Sequence, residues 1–289
     1  MNLKSGESNK GVLILIGGAE DKKDDKIILK KIVSLSTTRK VVVVPTASEY
    51  PDAAADNYLY AFRDLGVETV HVFNIRERSE ADTADNFTKL EESDVIFFTG
   101  GDQVRLVKTL NGTELISRIK ERHLNNKLHI AGTSAGAAAA SNPLIFDGDY
   151  QGLIKGSINF GKGFGFIEKV TIDTHFVNRG RLGRLTQFLC TGQSTRGIGL
   201  GEDTSVFVYP DNTFEVVGSG MVTLVNTDYV TYTNYNQIPE NSPIVINGIL
   251  TGFLQQGTFF DLKKWEVIAD ETNKSGESKE INANIHYIR

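Results

Sequence analysis

Five short apolar runs, rich in β-branched residues, recur through the first 140 positions: "VLILI" (12–16), "VVVVP" (41–45), "TVHVF" (69–73), "DVIFFT" (94–99) and "LHIAG" (128–132). Longer segments of helical period separate them, among them 22–34, 52–65 and 113–123. In the second of these Tyr58, Leu59, Phe62 and Leu65 make one apolar stripe, closed by Gly66. Strands that are apolar throughout leave no face for water. Joined through helices, they predict an α/β fold with a mostly parallel sheet and helices on both faces. Ligands of such sheets bind beyond the carboxyl ends of the strands. The strands exit there into Gly17-Gly18, Thr46-Ala47-Ser48, Gly100-Gly101-Asp102 and Gly132-Thr133-Ser134.

The texture changes after about residue 205. "SVFVYPDNTFEVVGSG" reads as a hairpin turning at Asp211-Asn212, and "MVTLVN" and "IVINGILTGFL" continue as strands. This predicts one domain over 1–289: an α/β core at 11–205, a β-rich C-terminal extension at 206–269 closing one edge of the sheet, and a polar tail at 270–289.

"HIAGTSAGAAAAS" (129–141) sets Ser134 between glycines and follows it with alanines. Gly132-Thr133-Ser134-Ala135-Gly136 matches the G-x-S-x-G nucleophile elbow, whose mechanics need a strand, a sharp turn and a helix. The glycines leave room at the turn, and the alanines let the helix pack closely. Free N–H groups at the helix start then face a developing oxyanion. The backbone N–H groups of Gly101 and Ala135 are the candidates for that role. The plainer reading of the five residues is a tight structural turn; the strand–turn–helix setting favours a nucleophile.

A serine nucleophile needs a base. Of the five histidines, His71 sits in a strand pattern, His123 and His129 lie in or just after a helix, and His286 is in the tail. His175 ends "VTIDTHF", where period-2 alternation puts Asp173 on the same face, and an arginine cluster follows. For the carboxylate that orients the imidazole, Asp173 at i−2 is poorly placed to reach the far ring nitrogen. Glu202, after the apolar run "GIGLG" (197–201), is favoured, with Asp203 read as the start of the next turn. In "NRGRLGRLTQFL", Leu182, Leu185 and Leu189 form a helix's buried stripe, which sends Arg181 and Arg184 to another face as a cationic patch. Forked guanidiniums suit a bidentate grip on carboxylates, and Asp173 suits a guanidinium. Solvated surface arginines are the alternative.

Other features narrow the field. A net charge of −5 favours neither nucleic acid nor an anionic membrane as partner. One cysteine, Cys190, excludes an internal disulfide, fits a reducing compartment and reads as core. No run approaches the ~18 apolar residues of a membrane span. No signal-peptide pattern opens the chain, so a cytoplasmic location is expected. Gly17-Gly18 matches neither a dinucleotide nor a Walker fingerprint and reads as a pocket wall; "GKGFGF" (161–166) leads into a strand, which argues against a nucleotide cradle.

Taken together, "GGAEDK" (17–22), "FFTGGDQ" (97–103), "IAGTSAGA" (130–137) and "KGFGFIEKVTIDTHFVNRGRLGRL" (162–185) resemble the cyanophycinases, serine exopeptidases of the class I glutamine amidotransferase-like superfamily. The resemblance implies a flavodoxin-like fold, a homodimer and no cofactor or metal. It further implies hydrolysis of cyanophycin, a polyaspartate carrying arginine on each β-carboxyl group, to β-aspartyl-arginine. It maps the triad onto Ser134, His175 and Glu202, and the substrate pocket onto Gln103, Asp173, Arg179, Arg181 and Arg184. One position departs: Thr174 stands where the family usually has glutamine. That departure keeps open a related peptidase acting on other aspartyl peptides. A non-catalytic carboxylate-binding module is the reading from another class, against which the full serine, histidine and glutamate set argues.

Overall fold

The computed structural model describes residues 10–148 and 152–268 of the chain. The five apolar runs form β1 (Leu13–Ile16), β2 (Lys40–Val44), β3 (Thr69–Val72), β4 (Val95–Phe98) and β5 (His129–Thr133). They lie in the order β1-β5-β4-β2-β3, each pair parallel. Alternate residues enter opposite cores. Leu13, Leu15, Val42, Val44, Ile96 and Phe98 pack on one face, and Ile14, Ile16, Val41, Val43, Val95 and Phe97 on the other. α1 (Ile27–Leu35) and α2 (Pro51–Asp64) cover the second face through Ile28, Ile32, Tyr58 and Phe62. α3 (Ala84–Glu92), α4 (Gln103–Leu110) and α5 (Glu114–Leu124) cover the first through Leu90, Leu106, Ile116 and Ile119. Each such side chain contributes roughly 1.5–3 kcal/mol when fully buried, so packing rather than helix propensity holds the layers.

Helix boundaries follow local chemistry. α4 and α5 are capped by Asp102 and Thr113, whose side chains accept from Val104 N–H at 2.7 Å and Ile116 N–H at 3.3 Å. The first helix was expected from residue 22 and starts at Ile27. Asp21 is the reason: its carboxylate accepts the backbone N–H groups of Lys23, Asp24 and Lys26 at 2.8, 2.9 and 2.7 Å, holding 21–26 in a loop. The same three bonds hold its carboxyl down at about 2.

After β5 come a single turn, α6 (Ala135–Ala138), and a ribbon of β6 (Leu144–Gly148) with β7 (Ile158–Gly161). β8 (Thr171–Asp173), α7 (Leu182–Cys190) and β9 (Arg196–Leu200) then form a parallel crossover. The β-rich remainder divides. β10 (Thr204–Val208) and β11 (Thr213–Gly218) make the expected hairpin and extend the main sheet antiparallel from β1. β12 (Val222–Asn226) instead pairs with β9. A small ribbon of β13 (Tyr232–Thr233) and β14 (Ile246–Asn247) precedes β15 (Leu250–Leu254), which joins β12, while β16 (Phe259–Asp261) and β17 (Glu266–Val267) finish the main sheet. The extension thus serves two sheets, one of nine strands and one of four, instead of closing a single edge. The physical reason is that β9 has an open edge of its own to pair, which β12 takes up. The polar tail and His286 lie outside the described residues.

Candidate active site

β1, β4 and β5 of the large sheet and β8 and β9 of the small one bring their carboxyl ends to one place. Ser134, at the exit of β5, holds φ 50° and ψ −111°, a region that non-glycine residues enter only under constraint. The flanking glycines are needed for close approach. A Cβ on Gly132 would lie 2.6 Å from Gly136 carbonyl carbon, and one on Gly136 would lie 2.4 Å from Phe98 carbonyl oxygen. Ala135 and Ala137 to Ala140 are buried behind the turn.

Ser134 Oγ lies 2.9 Å from His175 Nε2, and His175 Nδ1 lies 2.7 Å from Glu202 Oε1. The row comes from three strand exits: β5, β8 and β9. Burial lowers the His175 pKa, an effect opposed by the hydrogen bond to Glu202 and reinforced by the charge of Arg179. The imidazole is therefore neutral near pH 7, with a lone pair for the serine proton. Asp203 faces elsewhere: its carboxylate accepts from Asp21 N–H at 3.0 Å and Ser219 hydroxyl at 2.6 Å, and so shapes the turn.

The Gly17-Gly18 turn forms the wall behind the histidine. Gly18 has φ +101°, and a Cβ there would come 2.4 Å from the imidazole Cε1. The same segment holds all three exits by backbone hydrogen bonds: Ser134 N–H to Ile16 O at 2.9 Å, His175 N–H to Gly17 O at 2.8 Å and Asp203 N–H to Gly18 O at 2.9 Å. Gly100 also borders Ser134, since a Cβ there would lie 3.3 Å from Ser134 Cβ, while Gly101, at φ +142°, lies against the Ala47 carbonyl.

Sequence reasoning missed Asn178. Its side-chain oxygen accepts Glu202 N–H at 3.2 Å and its amide donates to Glu202 Oε2 at 3.4 Å, so it grips the residue that orients His175. Only its place between His175 and Arg179 hinted at this. A cleft of roughly 580 Å³ opens beyond it, lined by Val177, Glu202, Ser219 and Gln255 among others.

The arginines differ from expectation. Leu182 is 45% exposed, whereas Arg184 is only 2% exposed, so α7 turns Arg184 inward with Leu185 and Leu189. The cause is Asp173, which is also buried. Arg184 Nε and Nη2 donate to its two oxygens at 3.1 and 2.7 Å, and Arg181 Nη1 lies 3.2 Å from Oδ1. A buried carboxylate needs such partners, and their demand overrides the leucine stripe. Thr174 is buried as well; its carbonyl accepts from Arg181 Nη1 at 2.7 Å. Arg179 is exposed beside His175. Gln103, at the start of α4, donates to Phe146 O at 3.1 Å.

Among the described residues the other three histidines serve structure. His129 Nδ1 accepts Val12 N–H at 3.0 Å, His123 Nδ1 pairs with Leu128 O at 3.1 Å, and His71 lies 3.5 Å from the Glu92 carboxylate. Burial raises the Cys190 thiol to about 11, which leaves it unreactive. Among the described residues no group of three or more His, Cys, Asp and Glu is arranged to hold a metal ion, and no helix is long and apolar enough to cross a membrane.

Comparison with known proteins identifies the family of the chain. The model of peptidase family S51 matches residues 13–216. A protein named cyanophycinase from Trichormus variabilis is 32% identical over 271 residues, covering 93% of this chain and 91% of that one. Another from Synechococcus elongatus is 33% identical over 262 residues, covering 90% and 81%. Among solved structures, a peptidase from an acI-B1 Actinobacterium shares the fold with a TM-score of 0.61 at 22% identity, over 75% of this chain and 92% of that one. With a family model matched along most of its length and relatives similar over about nine-tenths of it, the chain belongs to peptidase family S51 and is a serine-type peptidase.

Proposed function

We propose that the chain is an exopeptidase that hydrolyses cyanophycin to β-aspartyl-arginine through an acyl-enzyme. The observation that carries this reading is the row Ser134–His175–Glu202 at 2.9 and 2.7 Å, in a chain similar to cyanophycinases over about nine-tenths of its length. Ser134 Oγ attacks the scissile backbone carbonyl while its proton passes to His175 Nε2. The N–H groups of Gly101 and Ala135 receive the oxyanion; that of Ala135, first in its helix, has no carbonyl within the helix to bond. Collapse of the intermediate breaks the C–N bond, and the His175 proton goes to the leaving nitrogen. Water, deprotonated by the same imidazole, then cleaves the Ser134 ester. Glu202 keeps the imidazole in the productive tautomer.

In the pocket, exposed Arg179 grips a substrate carboxylate and Gln103 and Thr174 border the site. Asp173, Arg181 and Arg184, being buried together, support the Thr174 wall and set its charge. The active molecule is a homodimer, a part of the proposal that sedimentation at micromolar concentration would check. Thr174 favours a second reading, a peptidase for other aspartyl peptides, because it is shorter than glutamine and carries no amide.

Two measurements test the function. Purified protein should clear a suspension of insoluble cyanophycin and release β-aspartyl-arginine identifiable by mass. Ser134→Ala should fold normally and lose activity by about 10⁶-fold. Clearing of other aspartyl peptides but not of cyanophycin would favour the second reading, and a variant within tenfold of wild type would remove Ser134 from the mechanism.

A further inference from the structure

The "GGAEDK" segment carries a carboxylate that the reaction does not use. Glu20 has a fully buried side chain beneath the site. Its Oε2 accepts from Thr133 Oγ1 at 2.6 Å, and Thr133 is the residue immediately before Ser134. Its Oε1 accepts from the hydroxyl of Tyr58 and lies 3.1 Å from Lys22 Nζ. Tyr58 is in turn wedged in the core of α2, with its ring centroid 4.5 Å from that of Phe97. One carboxylate thereby joins three elements: the exit of β1, the exit of β5 and the rigid face of α2.

Two observations give this junction a role beyond filling space. Ser134 is held in a strained conformation, and strain of that kind, on the order of 1–3 kcal/mol, persists only where the surroundings over-determine it. Meanwhile residues 16–18 carry the carbonyls that receive the backbone N–H groups of Ser134, His175 and Asp203. If residues 16–20 shifted against Thr133, Ser134 and His175 would move relative to each other. Among the described residues, the side-chain hydrogen bond that ties Thr133 to that segment is the one to Glu20.

We propose that Glu20 is a positioning residue that locks the Thr133–Ser134 elbow to the segment carrying His175, and so sets the distance over which the serine proton is transferred. This rests on Ser134 being the nucleophile. The carboxylate is suited to the task because it accepts hydroxyl donors at both oxygens at once. A hydroxyl or amide in its place would satisfy one side less well, and an apolar residue would leave two buried hydroxyls without acceptors.

The test reads the reactivity of Ser134 independently of any peptide substrate. A fluorophosphonate probe labels activated serines, and its second-order rate would be measured for wild type, Thr133→Val and Thr133→Ser, well below each protein's melting temperature. Valine keeps the shape of threonine and removes the donor; serine restores the donor. The expected result is labelling slowed about 10- to 100-fold in Thr133→Val, the penalty of a misplacement of about 1 Å, with Thr133→Ser near wild type. A tie that matters only for stability would lower the melting temperature of Thr133→Val and leave its labelling rate unchanged, which overturns the inference. If Thr133→Val does not fold, Thr133→Ala, which also removes the donor to Glu20, serves instead, and slowed or unchanged labelling decides in the same way. Wild-type protein that does not label at Ser134 would overturn the nucleophile assignment itself, a failure distinguishable from that of Glu20.

Discussion

At the scale of single residues, burial separates charges that look alike in the sequence. Arg184 and Asp173 are 2% and 1% exposed, and removing one partner of such a pair costs roughly 3–5 kcal/mol because the other stays buried without its counter-charge. Arg184→Ala should therefore lower the urea midpoint markedly, with activity lost through unfolding. Arg179 is exposed, so Arg179→Ala should leave the midpoint alone and reduce kcat/KM on β-aspartyl-arginine oligomers about 10- to 150-fold, the worth of one charge-assisted hydrogen bond. Equal loss of stability in both variants would contradict this division. His175 supplies a pH signature. Because its pKa is lowered, mainly by burial, the imidazole stays neutral below pH 6.5, and with His175 as the proposed base kcat/KM should fall only as pH drops through the depressed value. Glu202 opposes that lowering, so in Glu202→Gln the residual activity should have its acid limb at still lower pH. An acid limb moving upward would mean that Glu202 does not contact the base in solution.

At the scale of elements, the exits of strands matter more than the strands. β1 itself is four core residues, but after it Gly17 lies against the Gly201 carbonyl and Gly18 leaves the space that the histidine ring fills. Gly18→Ala would put a methyl within 2.4 Å of the ring and an alanine at φ +101°. The expected outcome is a folded protein in which His175 is pushed off Ser134, with kcat reduced on the order of 10²-fold and KM little changed. A crystal structure of the variant with the 2.9 Å contact intact would show that the turn had yielded instead. α7 makes the complementary point. Its apolar spacing suggested a leucine stripe, yet the helix rolled to satisfy Asp173 on β8.

At the scale of the whole molecule, the two-sided core couples folding to pH through a residue remote from the chemistry. His123 packs under the N-terminal end of β1, and burial is the main cause that lowers its pKa from 6.5 to about 4. The folded state then binds fewer protons than the unfolded one between those values. Its stabilising effect is complete above about pH 6.5, declines as pH falls, and levels off below about 4. The total is about 2–4 kcal/mol, given roughly 1.4 kcal/mol per pH unit. Denaturant midpoints of wild type should thus drop between pH 7 and pH 4.5 by more than those of His123→Gln, the difference isolating this group from the carboxylates that also titrate. Parallel slopes for the two proteins would show that the imidazole is solvated.

Much of this was legible in the chain itself. Apolar runs that do not alternate predict burial on both faces, so the parallel strands follow from hydrophobic periodicity; the spatial order β1-β5-β4-β2-β3, with β3 only half-buried at the edge, does not. A serine between glycines at a strand end, and a histidine and glutamate at two others, are local patterns as well, and these mark Ser134, His175 and Glu202 as candidates. What periodicity does not carry is which buried group claims which partner. The inward roll of Arg184, the grip of Asn178 on Glu202, the division of the C-terminal strands between two sheets and the junction at Glu20 all arise from contacts between residues distant in sequence. Each was decided by the cost of leaving a polar group or a strand edge unsatisfied in the interior, a cost that exists only once the chain has folded around it.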